Sequence, residues 1–135
     1  LVELLDMSAT ILDFAGVERP DYFQGDTLRS ILAGETSPDH HRDSIRSEYF
    51  DALDKKFCGG NASFATMYRT RRYKLTVYHS NNLGELFDLE NDPYEFENLW
   101  DDPASVEIKN QLILESFNDH VMKTTDVGSR RIAPM

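Results

Sequence analysis

Apolar residues recur every three or four positions near both ends of the chain, and every second position through its middle. From Val2 to Ala15, Leu4, Leu5, Ile11, Leu12 and Ala15 fall along one face at helical spacing, and Gly16 follows as a stop. Pro20 and Gly25 mark the next stretch as a connection. A second, short helix is predicted over Thr27 to Ala33, with Asp26 or Thr27 as N-cap, Leu28, Ile31 and Leu32 inward, and Gly34 closing it. The polar run from Glu35 to Asp43 contains Pro38 and reads as a linker, so a boundary is placed between residues 1–35 and 36–135. Neither helix can bury its apolar face alone, and both should pack on a body downstream or outside this chain.

Alternation then takes over. Ile45 to Phe50 is predicted as a strand with Ile45 and Tyr49 on one face and Arg46, Glu48 and Phe50 on the other. A loop with Lys55, Lys56, Cys58, Gly59 and Gly60 follows. Phe64, Thr66 and Tyr68 alternate in one run, and Tyr73, Leu75 and Val77 in the next, which predicts a hairpin across Arg71-Arg72. Glu85 to Leu89 is the last predicted strand, and Asn91-Asp92-Pro93 is a turn after which Phe96, Leu99 and Trp100 should pin the chain.

From Asp102 the period returns to that of a helix of about five turns. Asp102 is its N-cap, Pro103 its first residue, and Val106, Ile113, Phe117 and Val121 its inward stripe, flanked by Ile108 and Leu112. The tail from Lys123 to Met135 should lie extended. The expected class is α+β: a small antiparallel sheet of about four strands, packed by a long carboxy-terminal helix and preceded by short helices.

Composition narrows what such a fold can do. Lys and Arg number 14 against 24 Asp and Glu, a net charge of -10 spread over the chain, which disfavours nucleic acid and anionic lipid as partners. No apolar run reaches the roughly 20 residues of a bilayer span, and the amino terminus lacks a basic segment followed by an apolar one. A soluble chain with no address of its own is expected. Beginning at Leu1, already within a helical pattern, it should be a piece of something longer.

The residue types that carry chemistry are scattered. Cys58, the single cysteine, has no disulfide partner within the chain and only Lys55 and Lys56 to lower its pKa. Gly59-Gly60 neither follows a strand nor opens a helix, as a phosphate loop requires. His40, His41, His79 and His120 belong to separate segments or point apart. Asp88, Glu90 and Asp92 have the spacing of a calcium loop, but Pro93 stands where that loop turns on Gly and Leu99 where it needs a carboxylate.

Six segments in order carry a resemblance: Leu5-Asp6-Met7-Ser8-Ala9-Thr10-Ile11-Leu12-Asp13-Phe14-Ala15-Gly16-Val17, Gln24-Gly25-Asp26-Thr27-Leu28, Arg46-Ser47-Glu48-Tyr49, Met67 to Leu75, Glu85 to Pro93, and Glu97-Asn98-Leu99. Together the set resembles the carboxy-terminal third of sulfatases of the alkaline-phosphatase superfamily. The resemblance implies an α/β parent that hydrolyses sulfate esters with a formylglycine nucleophile and calcium, related enzymes acting on phosphonate or phosphate monoesters, and a catalytic domain as this chain's partner. It makes residues 1–35 the helical end of that domain and 36–135 a carboxy-terminal subdomain.

No catalytic or metal position carries over, because Cys58-Gly59-Gly60 does not match the Cys-x-Pro-x-Arg motif of the nucleophile. The resemblance offers Glu48, Tyr49, Tyr68 and Arg69 as substrate-binding candidates on the active-site rim. A free-standing binding module is the alternative. Without a catalytic domain, the helix in residues 1–15 should pair with a second copy.

Overall fold

The computed structural model describes residues 1–50 and 64–125, so the loop around Cys58 and the end of the tail lie outside the described residues. Helix α1 spans Leu4–Phe14, α2 Arg29–Leu32, and α3 Val106–Thr125; strands β1 to β4 span Ser44–Phe50, Phe64–Thr70, Tyr73–Tyr78 and Leu83–Asp88. The chain divides into two compact units, one of Leu1–Arg42 with the chain from Phe117 onward, the other of Asp43–Ser116.

In the second unit the four strands form one sheet in chain order, every neighbouring pair antiparallel. Alternation fixes its two faces. Tyr68 pairs with Arg46 and Leu75, and Leu75 with Leu86, so these four residues share one face. Arg69, paired with Ile45 and Lys74, lies on the other. The hairpin turns across Arg71-Arg72 as predicted, and Thr70 steadies the turn by accepting the Tyr73 N–H with its hydroxyl at 3.0 Å.

Tyr68, Leu75 and Leu86 join Leu112 of α3 in a core ringed by Tyr73, Val77, Leu99, Trp100 and Ile108. The helix meets this unit along Ile108, Leu112 and Ser116, with Leu112 and Ser116 buried. The predicted inward stripe is therefore rotated: Val106, Ile113, Phe117 and Val121 are exposed. Polar contacts set the rotation, because Arg46 of β1 donates to the Ser116 carbonyl and hydroxyl at 2.7 and 3.2 Å. At the helix start, Asp102 caps a 3-10 turn over Pro103–Ser105, accepting from the Ala104 N–H at 3.1 Å.

Two further expectations are corrected at β4. The strand runs from Leu83 to Asp88 and not from Glu85 to Leu89, so Gly84 is a strand residue. A side chain at Gly84 would place its Cβ 2.3 Å from the Trp100 ring, so the glycine is there to receive the indole. Phe96 does not pin the chain; it is 86% exposed, and Asn98, Leu99 and Trp100 do that work. Asn98 accepts the Leu86 and Trp100 N–H groups on one oxygen, both at 3.0 Å, and Leu99 donates to the Leu86 carbonyl at 2.8 Å.

In the first unit, α1 ends before Gly16, whose φ of 66° suits a residue without Cβ. Its buried residues are Asp6, Ala9 and Thr10, whereas Leu4 and Ile11 of the predicted inward stripe are 86% and 64% exposed. The polar contacts of Asp6 and Thr10 hold the helix by its other side. The second helix is shorter than predicted, with Leu28 at its N-cap and Leu32 exposed, because Thr10 Oγ1 accepts the Leu28 N–H at 2.9 Å and Thr27 Oγ1 the Arg29 N–H at 3.1 Å.

The Gly84–Trp100 contact makes a measurable claim. Gly84→Ala should lower stability by about 1–3 kcal/mol, the usual range for overpacking, seen as a lower urea midpoint. In a Trp100→Ala background most of that loss should vanish; an equal loss in both backgrounds would place the cost elsewhere.

Candidate functional site

The four residues marked by the sequence fall on opposite faces of the sheet. Glu48 is on the helix-side face, exposed, with its Oε1 2.7 Å from Arg46 Nε. Tyr68 is on the same face but only 7% exposed, inside the core. Tyr49 and Arg69 share the open face, Tyr49 exposed and Arg69 half-buried. The Nε of Arg69 is fully buried with no hydrogen-bond partner among the described residues.

The most elaborate polar centre was invisible in the sequence. Asp6, with no exposed surface, lies at the start of α1 and accepts on both oxygens. Oδ1 receives the Asp26 N–H at 2.8 Å and Arg42 Nη2; Oδ2 receives the Glu3 N–H at 2.8 Å and Arg42 Nε at 2.9 Å. His41 Nε2 stands 3.3 Å from Oδ2, and the Arg42 guanidinium also approaches Asp26 at 3.1 Å and Glu3 at 3.7 Å. Burial pushes the Asp6 carboxyl pKa up, but the Arg42 hydrogen bonds and the two backbone N–H groups outweigh it and hold the value at about 2. With every lone pair engaged, this carboxylate binds the chain to itself and is not free to move a proton for a substrate. Its partners come from positions 3, 26 and 42, too far apart in sequence to form a motif; the one local sign was an acidic residue in the first turn of a helix.

A second centre ties the hairpin to the end of β4. Arg72 Nη2 donates to Asp88 Oδ2 at 2.8 Å, and Asn91 Nδ2 and the Glu90 N–H complete the carboxylate's partners at 2.8 and 3.2 Å. The Arg72 hydrogen bond, above all, holds the Asp88 pKa at about 2. Asp92 Oδ2 accepts the Glu97 N–H at 2.8 Å, so the acidic residues at 88 and 92 organise a turn. Among the described residues, no three His, Cys, Asp or Glu are placed to share a metal ion, and these do not fit calcium. Cys58-Gly59-Gly60 does not fit a formylglycine motif.

The family described as N-sulphoglucosamine sulphohydrolase, C-terminal, matches residues 1–121. The chain belongs to this sulfatase family. It is 31% identical over 115 residues to a delta 4,5-hexuronate-2-O-sulfatase of Bacteroides thetaiotaomicron, covering 84% of this chain and 23% of that one. The solved structure of a 2-O GAG sulfatase matches 90% of this chain and 25% of its own, with 29% identity and a TM-score of 0.72. A phosphonate monoester hydrolase of Silicibacter pomeroyi matches over the same shares, with 28% identity and a TM-score of 0.69. The chain spans 54%, 23% and 18% of the lengths of three curated relatives that it matches. Within the sulfatase family, then, it is a carboxy-terminal domain of α+β class, with an open four-stranded antiparallel sheet and a closing helix. No helix among the described residues is long and apolar enough to cross a membrane.

The Asp6 centre sets an acid limit. Because its pKa falls from 3.8 to about 2 on folding, it contributes stability that is complete above pH 4, roughly 2 kcal/mol, and lost as the pH drops toward 2. Asp6→Asn should be less stable at pH 7 and show a shallower decline between pH 4 and pH 2 in chemical denaturation. A decline of unchanged slope would assign the acid limit to other carboxylates.

Proposed function

We propose that this chain is the carboxy-terminal part of an enzyme that hydrolyses sulfate esters, that the nucleophile lies outside it, and that it contributes structure and part of the rim that selects the organic portion of the ester. The family match over residues 1–121 carries the reading, together with relatives named as sulfatases of which this chain spans about a quarter or less. In this reading the formylglycine and the calcium ion belong to the catalytic part, where they supply the attacking oxygen and the charge that receives the sulfate.

The exposed side of α1 supports a catalytic domain as partner. Leu4, Met7, Ile11 and Phe14 recur at spacings of three and four, and all are more than half exposed. Of the rim candidates, Tyr49 and Arg69 remain the stronger pair, since both occupy the sheet face that α3 leaves open. Glu48 keeps a rim role only through its exposed edge position, and Tyr68 acts through packing.

Assays of an aryl sulfate test the reading directly. The 135-residue chain alone should give no turnover, and a longer protein that joins it to a Cys-x-Pro-x-Arg or Ser-x-Pro-x-Arg catalytic part should give clear turnover. Activity that follows the short chain through purification would overturn it. The phosphonate monoester hydrolase among the structural relatives supports a second reading, a phosphonate or phosphate monoester hydrolase. That reading is favoured if the longer protein cleaves a phosphonate monoester faster than the matching sulfate.

The same stripe on α1 predicts self-association when no catalytic part covers it. Light scattering of the short chain should show an average mass that rises with concentration; Ile11→Glu should restore the monomer, and a wild-type chain monomeric throughout would count against this face as an interface.

A further inference from the structure

Arg69 combines two features that a strand residue normally avoids. Its Nε–H is buried and receives no acceptor among the described residues, although a buried donor without a partner loses its hydration for nothing. It also stands directly opposite Lys74 on the open face, and like charges at paired positions repel. Lys74 is already engaged, its Nζ 2.5 Å from Glu95 Oε2. Arg69 has no carboxylate partner among the described residues, and its other cross-strand neighbour on the face is the apolar Ile45.

We propose that Arg69 is an oxyanion-binding residue, and that the open face of the sheet around Arg69, Ile45 and Lys74 receives one carboxylate or sulfate group. The guanidinium presents Nε–H and an Nη–H side by side, the fork that takes two oxygens of a single oxyanion. One such group would satisfy the buried donor and relieve the repulsion from Lys74 together. The inference deepens the rim reading above. Its test uses the short chain and simple anions, so a failed titration and a failed sulfatase assay are separate results.

The arginine Nε–H resonance reads the event at the atom concerned. In a chain labelled with 15N-arginine, sodium sulfate and sodium acetate are titrated against sodium chloride at matched ionic strength. The Arg69 Nε–H signal should shift saturably with sulfate or acetate and not with chloride. A stronger response to sulfate assigns the position to the sulfated ligand itself; a stronger response to acetate assigns it to a carboxylate, from a sugar acid or a protein side chain. Arg69→Lys, which keeps the charge but not the fork, should weaken the response of neighbouring backbone amides about tenfold. An Nε–H signal that stays still, or that moves equally with chloride, overturns the proposal.

Discussion

One indole ring sets the geometry of the sheet unit. Trp100 lies on the bare backbone of Gly84, and the Lys109 ammonium stands 4.7 Å from the centroid of the Trp100 ring and donates to the Trp100 carbonyl. Strand β4 and helix α3 are thereby held to the same residue. Just before it, Asn98 and Leu99 satisfy backbone groups of Gly84 and Leu86, which closes the outer edge of β4 and leaves it unable to pair with another chain there. The core residues Tyr68, Leu75, Leu86 and Leu112 can then meet because the helix starts where Trp100 places it.

Much of this unit was legible because strand alternation is a local property. Thr66, Tyr68, Leu75 and Val77 read as one face from their spacing alone, and the register puts Thr66 opposite Val77 and Tyr68 opposite Leu75. Helix orientation was legible only in part. Both α1 and α3 carry apolar residues on more than one side, and counting them selects the richer side, not the one that touches this chain. The side that touches was decided by polar groups from afar: Arg46 at Ser116, and Asp26 and Arg42 at Asp6.

The same limit applies to the rim candidates. Quoting them from a motif ignores the two-residue period of a strand, which sends Tyr68 into the core and its neighbour Arg69 to the open face. A segment such as Asp88 to Glu97 shows the converse. Its carboxylates look like a metal site in one dimension, yet in three they are taken up by Arg72, Asn91 and backbone N–H groups. This part of the resemblance is thus a folding device.

The attachment of α1 has a thermodynamic corollary. A helix secured by a buried carboxylate, an arginine and two backbone N–H groups exposes little apolar surface when it lets go, so its detachment carries only a small heat-capacity change. Its hold should therefore vary gently with temperature, while the sheet unit, fastened by leucines and a tryptophan, follows the steeper curve of a hydrophobic core. Two parts of one chain are in this way governed by different hydration terms: the first by the hydration of ions, the second by the hydration of hydrocarbon.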